Sequence, residues 1–216
     1  MLRKAKAQGI TSVMATPHSS AFDYGAKYVS LQFNKLRKKA KELGVHLYLG
    51  TEILCIDPYE VIDKLNDGTY KTLNGTRYAL IEFNPYLTSF GDAYNAVIAL
   101  KEHDYIPVIA HAERYRFSSV SNIAALKEAG AFIQTNLYSF YKEHNRDTRE
   151  VAQILLDKGI IDFVGTDAHR LNHRPPDAAS GVRYVYNNST KEYADKILFE
   201  NANRLLGGKI DERLMA

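Results

Sequence analysis

The chain has 216 residues, of which 45% are hydrophobic and 25% are charged, and these proportions are ordinary for a globular domain. A formal net charge of +3 is too small to indicate binding to nucleic acid, although it permits an anionic substrate. The one cysteine, Cys55, excludes an internal disulfide framework and is typical of the cytoplasm, and no stretch resembles an export signal or a membrane insertion.

Helix-like segments alternate with short apolar runs along the chain, and we predict one domain over residues 1–216. A helix-like segment at residues 2–8 comes first. The apolar runs are 11–18, 45–53, 77–83, 106–114, 131–136 and 161–169. Four helix-like segments end in glycine before a run, which predicts left-handed helix caps at Gly9, Gly44, Gly130 and Gly159. This alternation favours an α/β fold, with a parallel sheet covered by helices.

Each apolar run ends with a polar residue, at intervals that suit one strand plus one helix. In chain order these residues are His18, Glu52, Glu82, His111, Asn136 and Asp167. The last run, "FVGTDAH", adds His169 two residues after Asp167, so an extended chain would point both side chains the same way. If the sheet curls into a barrel, the carboxyl ends of its strands converge at one mouth, where the active sites of barrels lie.

Three imidazoles and three carboxylates in one cleft would be costly unless positive ions were bound among them. We therefore predict a cluster of divalent metals. Its ligands would be His18, Glu52, Glu82, His111, Asp167 and His169. Mixed nitrogen and oxygen ligands suit manganese, iron or zinc, and sites with two such metals activate water for in-line displacement.

Two arginines follow these predicted ligands closely and indicate a phosphate substrate. Arg114 lies three residues after His111, and Arg174 lies five residues after His169. A planar guanidinium group can bind two phosphate oxygens at once, and such groups assist phosphoryl transfer beside metals. We expect Arg114 and Arg174 to be catalytic, and Glu113 to orient Arg114 or His111 from behind.

The motifs together resemble the PHP superfamily, which is named for polymerase and histidinol phosphatases, and more narrowly the bacterial tyrosine-protein phosphatases of capsular and exopolysaccharide gene clusters. They are "ATPH", "GTEI", "YALIEF", "IAHAER" and "GTDAHRLNHRPP", in this order. The resemblance implies a distorted (β/α)7 barrel with a three-metal centre and manganese-dependent activity. It also implies an enzyme that removes phosphate from phosphotyrosine on protein, with a partner tyrosine autokinase that regulates polysaccharide synthesis as its natural substrate.

Mapped onto this chain, the resemblance distributes the ligands over three metals, with Glu52 shared. The sets are Glu52, Glu82 and His111 for the first metal, Glu52 and Asp167 for the second, and His18 and His169 for the third. Arg114 and Arg174 would hold the phosphate while a hydroxide that bridges the metals attacks phosphorus, with no phosphocysteine intermediate.

The chain departs from the family pattern at its beginning. The family opens with a strand that ends in a His-x-His pair, followed by an aspartate, and no such segment precedes residues 2–8 here. We expect the first barrel strand to be absent, one metal to be retained and phosphatase activity to be poor. An unpaired sheet edge would also favour a homo-oligomer.

Three alternatives stay open at this stage. The same metal chemistry could serve a small metabolite such as histidinol phosphate. An amidohydrolase also uses a mouth rich in histidine and aspartate, although two arginines favour phosphate over amide substrates. A barrel poor in metal could bind a phosphorylated partner without hydrolysing it.

Overall fold

The computed structural model describes residues 1–141 and 146–206. Its strands are β1 (Ser12–Ala15), β2 (His46–Leu49), β3 (Glu52–Leu54), β4 (Tyr78–Glu82), β5 (Ile106–Ile109), β6 (Phe132–Asn136) and β7 (Phe163–Gly165). Its α-helices are α1 (Leu2–Ala7), α2 (Ser19–Glu42), α3 (Pro58–Asn66), α4 (Phe90–Glu102), α5 (Val120–Glu128), α6 (Arg146–Asp157), α7 (Ala179–Asn187), α8 (Lys191–Asp195) and α9 (Asn201–Leu205). None of the helices in these two ranges is long and apolar enough to cross a membrane.

All strand pairs are parallel, which confirms the predicted α/β class. Strands β3, β4, β5, β6 and β7 form one sheet in that order, and β1 pairs with β2 in a second sheet. A parallel bridge between His18 and Glu52 joins the two sheets, and the Glu52 N–H donates to the Pro17 carbonyl over 3.0 Å. The residues that follow β1 therefore meet the first residue of β3.

The run predicted at residues 45–53 is two strands rather than one, separated by Gly50 and Thr51, although the Gly50 N–H still donates to the Ala15 carbonyl. Thr51 Oγ1 accepts a hydrogen bond of 2.9 Å from the Lys71 N–H, so the loop that carries Lys71 packs against this break. A Cβ atom on Gly50 would lie 2.7 Å from Leu73 Cδ2, and the bare glycine lets this loop pack closely.

The predicted left-handed helix caps are present. Their φ angles are +82° at Gly9, +68° at Gly44, +102° at Gly130 and +67° at Gly159. In each case the backbone turns out of a helix and enters a strand within a few residues, as the sequence pattern indicated.

A row of isoleucines crosses the larger sheet in register and fixes which face is apolar. Its members are Ile53, Ile81, Ile109 and Ile133, all fully buried. They belong to the main core, together with Leu100 of α4, Leu126 of α5 and Leu155 of α6. Because side chains alternate along a strand, Glu52 and Glu82 point to the opposite face from this row.

Leu155 and Ile154 test this packing as a matched pair on α6. Leu155 is fully buried in the main core, whereas Ile154 is 44% exposed. We expect Leu155→Ala to lower the free energy of unfolding by about 3 kcal/mol, because it leaves a cavity, and Ile154→Ala to lower it by about 0.5 kcal/mol. Urea denaturation followed by circular dichroism measures both values; equal losses would contradict the placement of α6.

Candidate metal centre

Glu52 lies at the centre of the polar cluster at the carboxyl edge of the sheet. It opens β3, and its side chain is 9% exposed. Its Oε1 lies 3.0 Å from His111 Nε2, and its Oε2 lies 3.3 Å from His18 Nε2. One carboxylate therefore presents a separate oxygen to each of two imidazoles, which is the arrangement of a carboxylate that can bridge two ions.

Glu82 and His111 complete the inner part of the cluster. Glu82 ends β4, and its Oε1 lies 3.3 Å from His111 Nε2. Burial lowers the pKa of His111, but its hydrogen bonds to Glu52 and Glu82 outweigh this effect and raise the pKa to about 9. The imidazole is therefore protonated at neutral pH, and its one positive charge offsets part of the negative charge of the two carboxylates.

His18 occupies the outer side of the same cluster. It precedes the first residue of α2, and its side chain is 52% exposed. The ligand atoms of His18, Glu52 and Glu82 all lie within 4.8 Å of one another, a spacing that could hold a metal ion. The ring centroids of His18 and His169 are 5.4 Å apart, so His169 lies beside this group.

Asp167 forms a second polar cluster with the two predicted arginines. Its Oδ2 accepts hydrogen bonds from Arg174 Nη1 over 2.5 Å and from Arg114 Nη1 over 3.3 Å. Arg174 Nη2 lies 2.9 Å from His169 Nε2. The structure thus brings both arginines together around one carboxylate, next to the histidine pair.

The backbone is left-handed at three residues of the site that are not glycine. The φ angle is +33° at His111, +46° at Asp167 and +52° at Arg174. Such angles are uncommon for residues with a Cβ atom and are costly unless the surroundings hold them. The His111 N–H donates to Gln134 Oε1 over 2.7 Å, which anchors the first of these turns.

Glu113 is buried behind the cluster, but its hydrogen bonds differ from those we expected. Its Oε1 accepts from the Asn136 N–H over 3.2 Å and from Ser139 Oγ over 2.6 Å, rather than from Arg114 or His111. Burial raises the pKa of Glu113. It ties the loop after β5 to the end of β6, so it acts on the site through the backbone of Asn136.

Two further residues also shape the site: the sequence did not single out Gln134, and it left Tyr138 either to line the mouth or simply to pack. Gln134 holds the His111 backbone, and Tyr138 Oη lies 3.5 Å from Asp167 Oδ2. Asn136, predicted only as a residue at a strand end, donates from Nδ2 to Asp167 Oδ2 over 3.3 Å. Gln134 is two residues before Asn136 on β6, and this alternation was the available sign that both face the mouth.

The donor set fits divalent metals. Imidazole nitrogens and carboxylate oxygens converge within contact distance, and Glu52 and Asp167 are buried charges that gain from a nearby cation. His111 Nδ1 is buried and has no hydrogen-bond partner among the described residues. The sulfur of Cys55, the one cysteine of the chain, has no contact with the cluster among the described residues. The donor set is therefore imidazole and carboxylate, without a thiolate of the kind found in structural zinc sites.

Comparisons with known proteins point to one family. A family model described as "Capsular polysaccharide synthesis, CpsB/CapC" matches residues 1–207. Tyrosine-protein phosphatase YwqE of Bacillus subtilis is 31% identical over 213 residues, which cover 95% of this chain and 82% of the relative. Tyrosine-protein phosphatase CpsB of Streptococcus pneumoniae is 24% identical over 215 residues, which cover 95% and 88%.

A solved structure is also similar. It comes from work on YwqE from Bacillus subtilis and CpsB from Streptococcus pneumoniae, which are described as metal-dependent tyrosine phosphatases. It superposes with a TM-score of 0.74 at 27% sequence identity and covers 90% of this chain and 80% of the other.

Cys55 provides a test of how closed the main core is beside β3. The residue is 4% exposed, and burial, with a smaller effect of Asp57, raises the pKa of its thiol to about 12. The thiol is therefore protonated at pH 8, and we expect iodoacetamide to label the folded protein at least about 100-fold more slowly than the same protein in guanidinium. Mass spectrometry over time measures both rates; similar rates would show that the thiol is accessible and ionised.

Proposed function

The chain belongs to the CpsB/CapC family of capsular polysaccharide synthesis, and we propose that it is a metal-dependent phosphatase that hydrolyses phosphotyrosine on protein. The observation that carries this proposal is Glu52 shared between His18 and His111, next to two arginines gathered at Asp167. Its relatives are named tyrosine-protein phosphatases, and the similar solved structure is described as metal-dependent.

The metal ligands of the proposal are the six residues that the sequence indicated. Glu52, Glu82 and His111 would hold one ion, and His18, His169 and Asp167 would contribute to others. Bound divalent metal would lower the pKa of a water and neutralise charge on phosphate oxygens. Manganese is our first choice, with iron or zinc as alternatives, since the donors are imidazole and carboxylate.

Arg114 and Arg174 would bind the phosphate. In this structure both guanidinium groups donate to Asp167 Oδ2, which holds them side by side before any substrate arrives. A phosphate group would offer several acceptor oxygens that can take over these donors. Developing negative charge would then meet donors that are already oriented, which lowers the barrier to phosphoryl transfer.

Positioning falls to residues that need not touch the substrate. Gln134 fixes the His111 backbone, and Asn136 fixes the Asp167 carboxylate. Glu113 holds Asn136 in turn, through its N–H. This chain of contacts links the ends of β5, β6 and β7, so loss of one member should displace the next.

The natural substrate of the proposal is a bacterial tyrosine autokinase that regulates capsular or exopolysaccharide synthesis, in the cytoplasm. The family description supports the setting. A single buried free thiol is compatible with a reducing compartment. The decisive assay compares turnover of a phosphotyrosine peptide and of histidinol phosphate, with added manganese and with chelator. Turnover of the peptide that depends on manganese supports the proposal, and preference for histidinol phosphate would replace it.

Glu52→Gln tests the shared carboxylate. We expect it to weaken manganese binding by more than about 100-fold and to remove phosphatase activity. Removing a residue that only supports a ligand weakens metal binding by up to about 100-fold, and a direct ligand should matter more. Isothermal titration with manganese measures binding independently of activity. Glu60→Gln is the matched control, because Glu60 is an exposed carboxylate paired only with Lys64 among the contacts described. Unchanged manganese affinity in Glu52→Gln would contradict the ligand assignment.

Arg174→Lys tests phosphate binding. Lysine keeps the charge but cannot donate in a planar pair, so we expect kcat/KM for phosphotyrosine peptide to fall by about 100-fold. Arg77→Lys is the control, since Arg77 is exposed and pairs with Asp104 away from the site. Manganese affinity should stay the same in both variants. If Arg174→Lys retained full activity, Arg174 would have no role in phosphate binding.

A further inference from the structure

Exposed apolar side chains lie on the three loops that follow β3, β4 and β7. They are Ile56 (85% exposed), Tyr86 (79%), Leu87 (82%) and Leu171 (59%). We infer that these four residues, the apolar rim, bind the residues that flank phosphotyrosine in a protein substrate and so select protein over small phosphate esters. The inference rests on the proposed phosphatase function and names the residues that would determine its preference for protein substrates.

Ile56 is placed at the mouth by the sheet itself. The Cys55 N–H donates to the Glu82 carbonyl over 2.8 Å, which extends the pairing of β3 with β4 beyond its last strand residue. Ile56 is the next residue, so it emerges directly beyond Glu82. Its side chain then points into solvent at the edge where the metal ligands lie.

Tyr86 and Leu87 are held in place by a turn rather than left on a loose loop. Asn84 Oδ1 accepts hydrogen bonds of 3.0 Å from the N–H groups of both residues. The Arg116 N–H donates to the Pro85 carbonyl over 2.9 Å, which joins this loop to the one that carries Arg114. The two exposed side chains therefore occupy a fixed position above the site.

Leu171 lies at the tip of a short hairpin that also carries site residues. The His169 N–H donates to the Arg174 carbonyl over 2.8 Å, and the Arg170 N–H donates to the His173 carbonyl over 2.9 Å. The base of the hairpin thus consists of the histidine and arginine of the site. Leu171 consequently projects from the segment that would grip the phosphate.

Single exposed apolar residues are common on protein surfaces, but these four lie on loops that leave the same edge of the sheet. Each follows a predicted metal ligand within five residues, on the loop that leaves that ligand's strand. The occupant that fits is a protein segment with a phosphotyrosine. Its dianionic phosphate matches Arg114 and Arg174, with exposed Arg116 and Arg170 on the same loops, and its neighbouring side chains reach the rim.

The test compares two substrates with the same leaving group. Free phosphotyrosine engages only the inner site, whereas a phosphotyrosine peptide with apolar flanking residues also reaches the rim. We measure kcat/KM for each with added manganese. In Leu171→Ser and Ile56→Ser, we expect the ratio of the peptide value to the free amino acid value to fall at least about fivefold, because partial burial of an apolar side chain is lost.

Ile154→Ser is the matched control, because Ile154 is an exposed isoleucine on α6 outside the three loops, and its ratio should not change. An unchanged ratio in both rim variants would overturn the rim while the phosphatase function stands. An equal fall for both substrates would also overturn it, since the change would then affect the inner site. Absence of turnover of either substrate by the unsubstituted protein would overturn the proposed function, and the rim with it.

Discussion

Buried negative charge at the carboxyl edge of the parallel sheet is the constraint around which this molecule is organised. The side chains of Glu52 and Asp167 are each 9% exposed, and such carboxylates are costly unless positive groups are close. His111 supplies that charge to Glu52, and two arginines supply it to Asp167. A divalent metal would stabilise the same carboxylates, so this arrangement of buried negative charge also suits metal binding.

Backbone turns determine the positions of the charged side chains as much as the strands do. Regular alternation places Glu52 and Glu82 on the face opposite the isoleucine row, but it does not orient His111, Asp167 or Arg174. Each of these three adopts a left-handed conformation, which costs of the order of 1–3 kcal/mol. Hydrogen bonds from neighbouring strands and the hairpin hold these turns. The favourable contacts of the sheet and the hairpin therefore offset the cost of these turns.

The sequence was a good guide wherever one residue determined the outcome. Glycines after basic helices predicted left-handed caps, and polar residues after apolar runs predicted the edge at which these polar side chains meet. It was a poor guide where the outcome depended on two distant segments. Residues 45–53 divide into two strands at Gly50 and Thr51, where Thr51 meets the loop that carries Lys71, and no local pattern revealed this contact. The bonds from Gln134 to His111 and from Asn136 to Asp167 likewise depend on strand register.

The site divides physically into two zones with different freedom to vary. Inner residues lie at strand ends and depend on one another for charge and position, so a change in one disturbs several. The apolar rim lies on turns outside the sheet, and its side chains are exposed and can contact a partner. Loops tolerate substitution far better than strand ends do. Specificity for a phosphoprotein can therefore change at Ile56, Tyr86, Leu87 and Leu171 while the charged centre beneath them stays intact.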